Sequence, residues 1–205
     1  MSDEFKTILG ESKAETRVQA SRFIATASPI LTKEEAEAFI GHIRKSLRDA
    51  THHCYAYRLG TDERQFRFND DGEPNGSAGK PILAAIDKFN LTDTLVVVTR
   101  YFGGTKLGVG GLVRAYGESS EAVLSTARVV TKYRTGIVRA SFPHSRISNV
   151  MHVIAKLDAR IVDTLYDEEV HLDIEIRNSR SDELKSALVE QTSGNVRLKT
   201  KENDT

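Results

Sequence analysis

The sequence predicts an α+β chain of two domains, and three observations predict it. Period-two and helical apolar patterns interleave along all 205 residues. The stretch after residue 131 carries the order βαββαβ, the ferredoxin-like unit. Between that stretch and the first half, "VVTKYRTG" reads as a joint, which divides the chain into 1–131 and 132–205.

In order, "TRVQASRFIATASPI" reads as a first strand and "LTKEEAEAFIGHIRKSL" as a helix. Thr32 and Glu35 have the T-x-x-E spacing of a capping box, and Ala36, Phe39, Ile40, Ile43 and Leu47 fall on one helical face. "ATHHCYAYRLG" is strand-like, and "RQFRF" is expected to pair with it across the turn "GTDE". A polar loop, "NDDGEPNGSAGK", precedes a helix "PILAAIDKF" that Pro81 can open because its missing N–H is not needed there. "DTLVVVTRYF" is almost wholly apolar, as in a central strand covered on both faces. The helix starting near Gly111 is apolar or small around most of its circumference at Leu112, Val113, Ala115, Tyr116, Ser119, Val123 and Leu124. Arg114, Glu118, Glu121 and Ser125 form its narrow polar stripe.

After the joint come a strand "GIVRASF", a helix "HSRISNVMHVIAKL" with Ile147, Val150, Met151, Ile154 and Leu157 on one face, and a strand "ARIVDTLY". "VHLDIEIR" alternates, with Val170, Leu172, Ile174 and Ile176 inward and His171, Asp173, Glu175 and Arg177 on a solvated mixed-charge face. "SDELKSALVEQTSG" is a helix closed by Gly194, and "VRLKT" the last strand.

Composition narrows the class. Lysine plus arginine number 29 and aspartate plus glutamate 29, so no global positive field announces a nucleic-acid binder. Any anion site must come from local clustering. No apolar run is long enough to span a bilayer, so no membrane partner is expected. The acidic start "MSDEFKTILGESK" lacks the apolar core of a secretory signal, and one cysteine, Cys54, fits a reducing compartment; a cytoplasmic location is expected.

Three stretches carry candidate chemistry. In "RYFGGTKLGVGGLVRAYGESSEAVL", Gly103, Gly104, Gly108, Gly110 and Gly111 free the backbone to approach a ligand, and the helix that follows offers unpaired N–H groups to an anion. Arg100, Lys106 and Arg114 can add charge-assisted contacts. The spacing is neither a Walker loop nor G-x-G-x-x-G, since Val113 stands at the third glycine position. The bland alternative is a packed strand–helix connection with Arg114 paired to Glu118. A second glycine-rich loop, "NDDGEPNGSAGKP", can converge on the same place with Lys80 opposite Arg100. Its Asp70, Asp71 and Glu73 can hold Mg²⁺ or, with Gly72, simply fix the loop through backbone N–H bonds. Whether a metal binds there stays open. In "THHCYAY", His52 and Cys54 share one strand face and His53 and Tyr55 the other. A zinc site or thiol nucleophile there lacks partners, and a buried free cysteine is the commoner case. No G-x-S-x-G surrounds Ser77 or Ser119–Ser120.

"DATHHCYAYRLG", "DDGEPNGSAGKPIL" and "VVVTRYFGGTKLGVGGLVRAYGES", in that order, closely resemble the IMPACT family and its bacterial YigZ branch, from Arg17 to about Ala127. The family pattern "SDDGEPSGTAG" is altered here at Asn69, Asn75 and Ser77, all conservatively. The resemblance implies a ribosomal protein S5 domain 2-like fold for the first domain, shared with domain IV of elongation factor G. It also implies a ferredoxin-like second domain similar to domain V of that factor. Kinases of the galactokinase type share the first fold and place phosphates at a glycine-rich loop. Eukaryotic family members regulate translation by competing for an activator of the kinase that phosphorylates initiation factor two, and they carry an extra N-terminal partner-binding domain that is not expected here, so that partnership is not carried over.

Two functions follow as expectations. The first is an RNA- or ribosome-binding protein linked to translation, with Arg100, Lys106, Arg114, Lys80 and the glycine amides on phosphate, no cofactor and no DNA sequence specificity. The second is a Mg²⁺-dependent enzyme acting on a nucleotide or other phosphate-bearing small molecule. Binding is preferred because no nucleophile–base pair can be defended from the residues.

Overall fold

The computed structural model describes residues 3–60 and 65–201. Phe5–Lys132 form one unit, and residues 133–201 together with the N-terminal Asp3 and Glu4 form the other. Both units are α+β.

The first unit contains β1 (Glu4–Ile8), β2 (Ser12–Val18), β3 (Ser21–Pro29), α1 (Lys33–Ser46), β4 (His52–Arg58), β5 (Phe66–Asn69), α2 (Gly79–Lys88), β6 (Thr94–Tyr101), α3 (Gly108–Thr126) and β7 (Val129–Tyr133). A five-stranded antiparallel sheet has the order β2-β3-β6-β4-β5, and β1 pairs with β7 in a separate ribbon. The central strand β6 is covered on both faces as its composition predicts. Val96 and Val98 pack with α2 and α3 residues such as Ile82, Ile86, Leu112 and Tyr116, while Leu95 and Val97 pack with Ala36, Ile40 and Ile43 of α1. The α1 cap forms as well: Thr32 Oγ1 accepts from the Glu35 amide at 3.2 Å, and Glu35 Oε2 reaches back to the Leu31 amide at 2.6 Å.

Several elements differ from the sequence reading. The single strand expected over residues 16–30 is a hairpin, because Val18 pairs with Ser21 and the chain turns through Gln19 at φ 53°. A glutamine in the left-handed region carries none of the Gly, Asn or Pro punctuation that marks such turns. Helix α2 starts at Gly79, so Pro81 occupies its third position rather than its first; the N–H is dispensable there too. Helix α3 starts at Gly108, three residues earlier than expected, which puts Gly110 and Gly111 inside its first turn. The joint at residues 129–133 is strand β7. Of the turn "GTDE", all but Gly60 lies outside the described residues.

The second unit contains β8 (Thr135–Phe142), α4 (Ile147–Lys156), β9 (Arg160–Tyr166), β10 (Val170–Arg177), α5 (Ser181–Gln191) and β11 (Arg197–Lys201). Its antiparallel sheet has the order β11-β8-β10-β9, so β10 lies between the two strands that α4 connects, the split βαβ arrangement of a ferredoxin-like fold. Val170, Leu172, Ile174 and Ile176 of β10 point into the core with Val150, Val153, Ile154 and Leu157. Met151, expected on that inward face, is exposed, and Val153 takes its place. The outer row of β10 is less solvated than its charges imply: Asp173 is buried beneath Arg139, whose Nε and Nη2 donate to its two carboxylate oxygens at 2.6 and 2.9 Å.

Candidate functional site

Strand register builds the site. His52 of β4 and Phe23 of β3 both stand opposite Arg100 of β6, so the three side chains share the sheet face that α3 covers. Arg100 lies under the loop instead of reaching into solvent. Its side chain is 5% exposed and that of Glu73 4%, and Arg100 Nη1 donates to Glu73 Oε1 at 2.7 Å. Arg100 Nη2 donates to Ser21 Oγ at 3.3 Å. The guanidinium carbon sits 5.6 Å from the Phe23 ring centre and 5.4 Å from that of Phe102. Tyr116 of α3 donates its hydroxyl to the same Glu73 oxygen at 2.7 Å and meets Phe23 edge-on at 5.3 Å. The expectation that Arg100 neutralises a ligand phosphate is therefore corrected: a buried guanidinium needs a buried carboxylate, and Glu73 supplies it.

The loop from Asn69 to Gly79 is closed by its own carboxylates. Asp70 Oδ1 accepts from the Ala78 and Gly79 amides at 3.0 and 2.9 Å, and its Oδ2 from the Gly76 amide at 2.9 Å. It thus caps α2, which has no cap from its own N-cap residue Ala78. Burial pushes the Asp70 carboxyl up, but the three N–H bonds and the charge of Lys80 outweigh it and hold the group below its ordinary value. Asp71, at φ 44°, accepts from Arg44 Nη2 at 2.5 Å and from the His53 amide at 2.7 Å. Gly72 has φ 88°, and a Cβ there would lie 3.5 Å from His52 Nδ1, which is itself 2.8 Å from the Asp71 carbonyl oxygen. Since a carbonyl only accepts, Nδ1 carries the proton, and Nε2 lies 3.9 Å from Glu73. Lys80 is exposed but folds back along Gly76, next to Asp70.

Replacing Asp70 by alanine is expected to cost about 2 kcal/mol, a loop-donated helix cap lost whole. Because its folded value lies below the ordinary 3.8, the contribution is full above that pH and is lost as pH falls through the folded value. Urea unfolding from pH 7 to pH 2 checks this; D70A should flatten the acid limb of the stability profile.

His53 is buried, bonded to Thr99 Oγ1 at 3.1 Å, and burial lowers its basicity against the opposing pull of Asp71. Cys54 Sγ lies 3.0 Å from the Asp70 carbonyl oxygen and 3.4 Å from Tyr116 Oη, so its one proton serves one of them at a time. Burial pushes the thiol up to about 12, with the charges of Glu73, Asp71 and Asp70 adding to it. Burial likewise raises the Tyr116 phenol well above its ordinary range. Neither group is an activated nucleophile.

The loop between β6 and α3 is the open one. Its first amides are anchored: Phe102 N–H donates to Thr51 Oγ1 at 3.1 Å and Gly103 N–H to Ser21 Oγ at 3.3 Å. Beyond them the amides of Gly104, Thr105, Lys106 and Leu107 take no protein acceptor among the described residues. Helix α3 has neither a side-chain cap nor an acidic residue in its first turn, so its positive end faces outward uncompensated. Gly104 and Gly108 adopt φ of 90° and 70°, in the left-handed region that favours glycine. Lys106 and Arg114 are exposed, and among the described residues neither makes an ion pair; Arg114 does not engage Glu118. Gly110 has open space around it and Gly111 sits against Leu107.

The sequence-derived set therefore separates into a closed loop with a buried ion pair and an open loop with two free cations. Ser21, Phe23, Phe102 and Tyr116 were missing from it. Tyr116 had a legible signal, since a buried tyrosine hydroxyl needs a hydrogen-bond partner.

The chain matches the Impact N-terminal domain over residues 19–124 and a domain of unknown function, DUF1949, over residues 141–195. The IMPACT family member YvyE of Bacillus subtilis is 34% identical over 199 residues, 97% of this chain and 92% of that protein. YigZ of Escherichia coli is 31% identical over 185 residues, 88% and 90% of the two chains. A solved structure titled as that of a hypothetical protein superimposes with a TM-score of 0.74 at 28% identity, over 100% of both chains. With its first domain and almost the whole length of bacterial relatives matched, the chain belongs to the IMPACT family.

Proposed function

We propose that this protein binds RNA, free or on the ribosome, in a role linked to translation, and that the loop from Gly104 to Gly108 with Lys106 and Arg114 is the contact. One observation carries the reading: of the two glycine-rich loops, the first has its helix start filled by Asp70, while the second offers unpaired amides beside two unpaired cations. An oxyanion fits that second position as the Asp70 carboxylate fits the first. The family's link to translation, with its elongation-factor-like folds, and a cytoplasmic setting go with this reading. Among the described residues no helix is long and apolar enough to cross a membrane.

The reading of a Mg²⁺-dependent enzyme is less well supported. Asp70 and Asp71 spend both carboxylate oxygens on protein donors, and Glu73 Oε1 already takes Arg100 and Tyr116. A phosphate-bearing small molecule would use the same open amides as RNA.

Ribosome co-sedimentation at two salt concentrations, with oligonucleotide titrations over a salt series, tests the proposal. The log–log slope is expected to be about −0.7 per phosphate contact on single strands, so K106A/R114A should flatten it by about 1.4. An unchanged slope removes these two cations from the site. Arg100 is left out of this variant because it is buried.

A further inference from the structure

We propose that Phe102 is a stacking platform for an unpaired nucleobase, and that the ligand class of the open loop is therefore single-stranded RNA. The inference rests on the RNA-binding reading above and narrows it.

Phe102 is 46% exposed although it follows a buried strand directly. Its backbone is anchored and its ring has one buried neighbour. Its amide is tied to Thr51, the next residue is locked onto Ser21, and the Arg100 guanidinium lies 5.4 Å from the ring centre. Arg100 is itself nearly inaccessible, and its Nε has no hydrogen-bond partner among the described residues. The Phe102 ring thus has a buried guanidinium against it and still keeps nearly half of its surface open to a ligand. The same pair makes a rigid, electron-withdrawing backing for a second aromatic plane.

The surroundings suit a nucleotide more than a bare anion. Gly104, the first of the unpaired amides, is two residues from Phe102, so the Cα atoms are at most about 8 Å apart. A base on the ring can thus carry its adjoining phosphate to the amides. Val109 and Val113, one turn apart on α3, are 57% and 39% exposed, and give this cationic end of the helix an apolar margin. A lone phosphate has no use for that margin, whereas a base and ribose do. Duplex RNA keeps its bases stacked on one another, so only unpaired strands can supply the ring of Phe102 with a partner.

The test compares a short labelled oligoadenylate, an abasic ribose–phosphate oligomer of equal length and a duplex, by anisotropy on the full chain. Oligoadenylate is expected to bind about tenfold more tightly than the abasic oligomer or the duplex. F102L should bring oligoadenylate down to the abasic level and leave the salt slope unchanged, while F102W keeps the preference. K106A/R114A should weaken both single-stranded probes and preserve their ratio. Equal affinity of the wild type for oligoadenylate and the abasic oligomer overturns the inference without any variant, and leaves the RNA reading standing. A preference that survives in F102L overturns it as well. Failure of all three probes to bind defeats the RNA reading itself, and this inference with it.

Discussion

Replacing Glu73 by alanine is expected to destabilise the first unit by about 3–5 kcal/mol, the usual cost of leaving one charge of a buried pair without its partner. The Arg100 side chain is 5% exposed, and among the described residues its only other hydrogen-bond partner is Ser21 at 3.3 Å, so the guanidinium cannot recover its lost counter-charge from water. The loss spreads further, because Tyr116 donates to the same carboxylate oxygen from the centre of α3, and burial keeps that phenol protonated. R100M should cost a similar amount by stranding Glu73. The double variant R100M/E73L should be much less harmful than the sum of R100M and E73L, since apolar side chains of matching size replace a pair whose desolvation largely offset its attraction. Urea unfolding of the wild type, R100M, E73L and R100M/E73L closes the cycle and gives the coupling directly. Additive losses, or single variants within 1 kcal/mol of the wild type, would show that the pair is not electrostatically isolated from solvent.

The second large effect is expected at Gly103. A Cβ built there would lie 1.9 Å from the Ala20 carbonyl oxygen and 2.0 Å from its carbonyl carbon. Backbone cannot yield as a side-chain tip can, so G103A must push the β2–β3 turn and the loop apart. About 3 kcal/mol, the upper end for overpacking, is the expected cost. The neighbouring glycines behave otherwise. Gly104 has nothing within 4 Å of its added Cβ but sits at φ 90°, so G104A pays only backbone strain of about 1–2 kcal/mol. Gly110 has open space and lies within α3, so G110A should stabilise by up to about 1 kcal/mol through helix propensity. Thermal unfolding of the three variants orders them; G103A no worse than G104A would mean the turn is softer than its contacts indicate.

These cases also mark how far the sequence alone could be followed. The two-face burial of β6, the cap on α1 and the order of the second unit all arise from local periodicity, and each was readable. The buried site was readable only in parts. "DDGE" and "TRYF" each drew notice, yet nothing in either says that Glu73 would neutralise Arg100 across 27 positions. That pairing is created by the register of β4 against β6 and by the way Asp70 folds its loop back. Charge counting pointed at Arg100 as readily as at Lys106, because burial is a property of the assembled sheet. The β2–β3 turn was hidden for a different reason: the close approach of Gly103 to Ala20 holds it, and its own residues do not announce it.

The single thiol offers an unplanned stopwatch. Cys54 is the one cysteine in the sequence, it is fully covered, and it belongs to the unit Phe5–Lys132. Alkylation therefore has to wait for that unit to open. A chain with no tryptophan to report on its parts thus carries a chemical timer wired to only one of them.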